Sequence, residues 1–124
     1  GPMRFWDDET TREWAGRARA KTRPGGPLFV FEAPYENLYP LTGTVPPGGF
    51  YVNSSFWYCL NKDGIDGRLV ESLRGRSDVP ILFREPPEGR DGDALRRTAT
   101  YRFLTEETAP VERIDRRAGW RKAR

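Results

Sequence analysis

Gly48-Gly-Phe-Tyr-Val-Asn-Ser-Ser-Phe-Trp-Tyr-Cys-Leu-Asn-Lys-Asp-Gly64 is the longest apolar and aromatic segment of the chain. Phe50, Val52 and Ser54 alternate with Tyr51, Asn53 and Ser55, the period of a strand. From Phe56 to Leu60 almost every residue is apolar, as in a strand covered on both faces. The segment therefore predicts the central strands of a β-rich core, closed by a turn at Asn61–Gly64.

Working outward, Leu28–Glu32 reads as a short strand ended by Pro34. Ahead of it, acidic Asp7-Asp8-Glu9 and the capping-box spacing of Thr10 and Glu13 start a helix over about residues 9–21. Its narrow stripe of Trp14, Ala15 and Ala18 faces the sheet, and Pro24-Gly25-Gly26-Pro27 stops it. Residues 35–49 carry too many prolines and glycines for regular structure and read as an ordered, aromatic loop.

Downstream, Ile65, Leu69, Val70 and Leu73 recur at helical spacing, with Asp66 as N-cap and Gly75 as stop. A strand paired with Phe56–Leu60 is the alternative for that segment. Val79, Ile81 and Phe83 alternate as in a strand, and Glu85–Asp93 reads as a polar loop. Ala99, Tyr101 and Phe103 alternate with Thr98, Thr100 and Arg102, which predicts a second strand forming a long-looped hairpin with the first. The expected fold is α+β, an N-terminal helix packed on a mostly antiparallel, curved or barrel-like β-sheet of four to six strands. Phe29, Phe31, Phe56, Trp57, Tyr58, Phe83, Tyr101 and Phe103 are its expected aromatic core.

A length of 124 residues fits one domain, placed at residues 3–110, with Gly1-Pro2 as an expression-tag remnant and 111–124 as a basic C-terminal segment. No apolar run approaches the ~20 residues of a membrane span. A soluble, cytoplasmic protein without membrane contact is the expectation. The single Cys59 forbids an internal disulfide and reads as a core residue.

The chain has no histidine, which removes the commonest general base and metal ligand along with every His-dependent triad. It also lacks a P-loop, a dinucleotide-binding glycine fingerprint and a nucleophile elbow. Asn61, Asp63 and Asp66 have part of a calcium-loop spacing, but Ile65 and Ser72 stand where two ligands belong, so a glycine turn is the better reading. Asp91 and Asp93 are read as an ordinary loop pair. No catalytic residue, metal site or cofactor is assigned.

Charge is uneven: +2 over residues 1–24, −3 over 25–66, −1 over 67–95 and +5 over 96–124. There are 18 Arg against three Lys. Arg113, Arg116, Arg117, Arg121 and Lys122, with Trp120 among them, form the candidate nucleic-acid-binding set, the cations for phosphates and the indole for a base. The alternative for these residues is a C-terminus that pins Trp120 onto the body. An amphipathic helix over 111–122, with Val111, Ile114 and Ala118 inward, suits either. Tyr35 and Tyr39 are the candidate protein-interaction residues.

Two partial patterns complete the inventory. Arg19–Arg23 with Asn53-Ser-Ser55 resembles the motif pair of cyclic-dinucleotide-binding PilZ barrels, but Tyr58 replaces a required glycine. Tyr51–Ser55 with Glu106 and Glu107 resembles the strand serine and glutamate of ADP-ribosyltransferases, without their first-strand arginine. The leading expectation is a non-enzymatic basic binding module that contacts nucleic acid through its Arg-rich ends. The alternatives are a protein-binding adaptor, inhibitor or accessory subunit using residues 35–49, or a small histidine-independent enzyme, ADP-ribosyltransferase-like or nucleotide-binding.

Overall fold

A computed structural model describes residues 8–32, 38–49 and 62–124. The strands expected over Phe50–Leu60, with Phe56, Trp57, Tyr58 and Cys59, lie outside the described residues, as does Tyr35. In chain order the described elements are α1 (Asp8–Lys21), β1 (Phe29–Phe31), α2 (Leu38–Thr42), α3 (Gly67–Leu73), β2 (Ile81–Arg84), α4 (Arg90–Arg96), α5 (Ala99–Glu106), β3 (Thr108–Arg113) and β4 (Ala118–Ala123). The architecture is α+β. Its open, four-stranded sheet has the order β1-β2-β4-β3, parallel between β1 and β2 and antiparallel at the other two pairings.

Both faces of this sheet are covered at β1 and the start of β2, where consecutive residues are apolar and buried, whereas edge strand β3 is mostly exposed. Phe29, Phe31 and Ile81 pack with Leu69, Val70 and Leu73 of α3, Leu95 of α4, and Phe103 and Leu104 of α5. Val30, Leu82 and Trp120 point the other way, onto Ala15 and Ala18 of α1 and Leu38 and Tyr39 of α2. Each large apolar side chain removed from water in these two layers contributes about 1.5–3 kcal/mol. The small alanines of α1 let its backbone come close to the sheet, with half-buried Trp14 at its flank, as its stripe predicts.

Helix α1 begins at Asp8, so Thr10 and Glu13 lie inside it instead of boxing its start, and Glu13 pairs with Arg17 at 2.9 Å. Within the expected loop 35–49 the chain makes α2, whose Pro40 falls in the first turn, where no helical N–H partner is needed. The expected loop 85–93 ends in α4, whose first turn holds Asp91 and Asp93 at the favourable end of the helix dipole.

Two larger corrections concern the C-terminal third. The predicted strand Ala99–Phe103 is helix α5, since Thr100, Phe103 and Leu104 are buried at i, i+3 and i+4 and Thr98 caps Tyr101 N–H at 3.0 Å. The predicted helix over 111–122 is instead the β3–β4 hairpin, and β4 is an interior strand of the sheet. Strand β3 runs continuously across residue 110. No helix of the described residues is long and apolar enough to cross a membrane.

Candidate functional site: an arginine-lined cleft on the hairpin

Register decides which side chains of the hairpin share a face. Phe83 pairs with Gly119 and Ile81 with Arg121, so Gly119 and Arg121 lie on the face of Phe29 and Phe31. Across the next pairing Arg121 meets Pro110 and Gly119 meets Arg113. Pro110 and Arg113 are three apart and would ordinarily point to opposite faces; the register shift between Pro110 and Glu112 restores them to one. The bulge also sends Glu112 to the opposite face, where it meets Lys21 of α1 at 3.3 Å.

The turn that joins the strands is tied by Asp115. Its Oδ1 accepts the N–H groups of Arg117 at 2.7 Å and Ala118 at 2.8 Å. These bonds, led by that from Arg117, hold the Asp115 carboxyl below its ordinary value. Gly119 is required beyond it: a Cβ there would stand 2.9 Å from the carbonyl oxygen of Glu112.

The result is a cleft of about 310 Å³ with Phe83, Pro110 and Gly119 at its floor and Arg113, Arg116, Arg117 and Arg121 around it. Arg113 Nε donates to the carbonyl oxygen of Asp115 at 3.1 Å. Arg117 Nη2 donates to the carbonyl oxygen of Glu85 at 3.0 Å. Arg121 Nε and Nη2 donate to the Thr108 hydroxyl at 2.7 Å and carbonyl at 3.1 Å, and its Cζ sits 5.8 Å from the Phe83 centroid. Arg116 is exposed at the turn. Among the described residues none of the four forms an ion pair with a carboxylate; neutral acceptors fix Arg113, Arg117 and Arg121 while the charge of all four is left standing. Burial and Arg124 lower the Arg121 pKa, though a guanidinium stays protonated.

The cleft's own acids are engaged elsewhere. Asp115 ties the turn and Glu112 pairs with Lys21. Glu85 accepts from the Tyr101 hydroxyl at 2.9 Å and from Arg96 Nε at 2.9 Å. Burial first, then Glu85, pushes the Tyr101 pKa up, so this hydroxyl remains a proton donor. Beside this group, Glu32 ends β1 with φ of 58°, the one positive φ of a non-glycine among the described residues. Burial raises its pKa against the pull of Arg84 and Arg117.

Of the six candidate nucleic-acid-binding residues, Arg113, Arg116, Arg117, Trp120 and Arg121 line this one cleft. Trp120 does so from within the core: it is 2% exposed and packs on the α1 face, so it offers no ring to a base. Lys122 pairs with Ala109, is exposed and points to the face opposite the cleft. Tyr39 is also buried, its hydroxyl accepting the Val30 N–H at 3.3 Å, so it is no surface contact. Asp66, considered for a cation loop, spends its carboxylate on the N–H groups of Ala99 at 2.7 Å and Thr100 at 2.8 Å. Phe83, Glu85, Arg96 and Tyr101 went unassigned to a site in the sequence because they come from separate elements and share no spacing.

No protein-family model matches the chain, and no match was found among curated proteins or solved structures.

Proposed function

We propose that the protein is a non-enzymatic binding module that takes the phosphate backbone of nucleic acid in the hairpin cleft. One observation carries this reading: four guanidiniums surround a single concavity without an ion-pairing carboxylate among the described residues. Guanidiniums held by carbonyls and hydroxyls have already lost part of their side-chain freedom, so an incoming phosphate meets preset donors. Two of the cleft's three acids are countered by cations outside the set, Glu112 by Lys21 and Glu85 by Arg96, which leaves the turn-bound Asp115 carboxylate against four guanidiniums.

Fluorescence anisotropy with labelled single-stranded and duplex DNA and RNA across a salt series tests the reading. Each phosphate neutralised on a single strand contributes about −0.7 to the slope of log affinity against log salt. The double variant Arg113→Ala/Arg116→Ala removes two exposed cations and is expected to flatten the slope by about 1.4. Absence of binding at about 50 mM salt, or affinity and slope unchanged in the double variant, overturns the proposal.

A further inference from the structure

We infer that the unit seated in the cleft is a single nucleotide whose base lies flat against the Arg121 guanidinium, with its phosphate on Arg113 and Arg116. This deepens the phosphate-binding proposal and rests on it. Three features of the cleft point beyond a generic anion site.

The first is size. A volume of about 310 Å³ lies at the small end of the ~300–1,000 Å³ range of small-molecule sites. Such a concavity admits one ring and its phosphate, whereas a duplex keeps its bases stacked inside and offers only its backbone to an opening of this kind.

The second is the shape and chemistry of the floor. Gly119 has no side chain, Pro110 has no N–H and presents a rigid apolar ring, and Phe83 is half-buried beside them. A floor of this kind suits a flat apolar surface and wastes the hydrogen-bonding capacity of a compact inorganic anion. Three of the four cations, by contrast, are at the turn and on the outer strand.

The third is the state of Arg121. The guanidinium is fixed by two bonds to Thr108 and backed by the Phe83 ring, which itself lies parallel to Phe31 at 5.7 Å and 4°. An arginine meant only to follow a phosphate gains nothing from being clamped over an aromatic ring. A clamped, half-buried guanidinium does gain a second use, because its plane is a charged platform on which a base can stack. Trp120 was the aromatic expected in this role. Its burial leaves the stacking function to Arg121, one residue further along the strand and on the opposite face.

The test compares, on the intact protein, a labelled ten-nucleotide oligothymidylate with an abasic strand of the same length and phosphate count. Stacking predicts that the base-bearing strand binds about tenfold tighter at the same salt slope. Arg121→Lys, which keeps the charge and loses the plane, is expected to bring the affinity of the base-bearing strand down to that of the abasic strand and so erase the preference; a thermal melt confirms that the variant is folded. Equal binding of the two strands by the unaltered protein overturns the stacking inference and leaves the phosphate proposal standing. A base preference that persists in folded Arg121→Lys also overturns it. Binding of neither strand overturns both. The comparison of strands on the unaltered protein decides the matter even where the variant does not fold.

Discussion

Replacing Asp66 by Ala tests how the helical layer behind the cleft is held together. The Asp66 carboxylate is buried at 6% exposure and does not cap its own helix, α3. It reaches across to α5, accepting Ala99 N–H on Oδ2 at 2.7 Å, and Thr100 N–H at 2.8 Å and hydroxyl at 2.5 Å on Oδ1. Thr98 serves Tyr101 N–H through its side chain and Arg102 N–H through its carbonyl, so all four donors of the first turn of α5 have partners. Asp66→Ala strands two of them and a hydroxyl. Thr100 is fully buried, and leaving its groups unsatisfied costs about 1–3 kcal/mol each, while exposed Ala99 recovers water. Loss of the helix-dipole interaction adds about 0.3–1 kcal/mol, and release from burying a charge offsets part of the total. The net expectation is a loss of about 3–4 kcal/mol, or roughly 10–15 °C in Tm. Asp66→Asn, which keeps one acceptor, should lose about half as much. Urea unfolding followed by circular dichroism reads both, with the m-value unchanged. A change in Asp66→Ala below about 0.5 kcal/mol, the ordinary range for surface substitutions, refutes the argument.

Two further outcomes follow from the hairpin and the end of β1. The raised pKa of Glu32 means that the folded state holds its proton more tightly than the unfolded chain does, so stability rises as pH falls through the folded value towards the unfolded one. Glu32→Gly removes both that dependence and the left-handed strain of about 1–2 kcal/mol, offset by the greater freedom of glycine in the unfolded chain; unfolding at several pH values should show equal or higher stability at neutral pH and a flat profile in that window. Asp115 has the opposite sign: its lowered pKa supplies stability above the ordinary aspartate value that is lost as pH falls through the folded one. Asp115→Asn should therefore show a shallower acid limb in the same measurement, and an acid limb identical to that of the unaltered protein contradicts the role given to this carboxylate.

The sequence made some of this fold readable and hid the rest for specific reasons. Residues 67–73 were legible as a helix because Leu69, Val70 and Leu73 are all apolar and all buried, ahead of a glycine at φ 73°, although Asp66, expected as the N-cap, gives its carboxylate to α5 instead. Helix α5 was not, because one of its three inward residues is Thr100, and polarity there masked the helical stripe while Ala99, Tyr101 and Phe103 imitated a strand. Thr100 is inward because Asp66, remote in sequence, gives its hydroxyl a partner. Strand β4 was hidden likewise: Gly119 is a poor strand former, and an arginine occupies an inward position only because Phe83 and Thr108 receive it. The candidate cations of the cleft could be named from charge clustering. Their convergence depended on a bulge, which no period announces.

The interior position of β4 has a kinetic consequence. Its pairing with β3 is local, closed by the short turn that Asp115 ties, and hairpins of this kind form in about 1–10 μs. Its pairing with β2 joins residues as far apart as Ile81 and Arg121, a separation of 40, and must wait for that larger loop to close. The arginine rim is thus expected to assemble early and the Phe83 floor late, when the hairpin docks as a preformed ribbon. A chain shortened before Val111 would have no ribbon to dock. The cleft can be dissected by single substitutions but not by trimming, because the strand that displays Arg121 is also the one that completes the sheet.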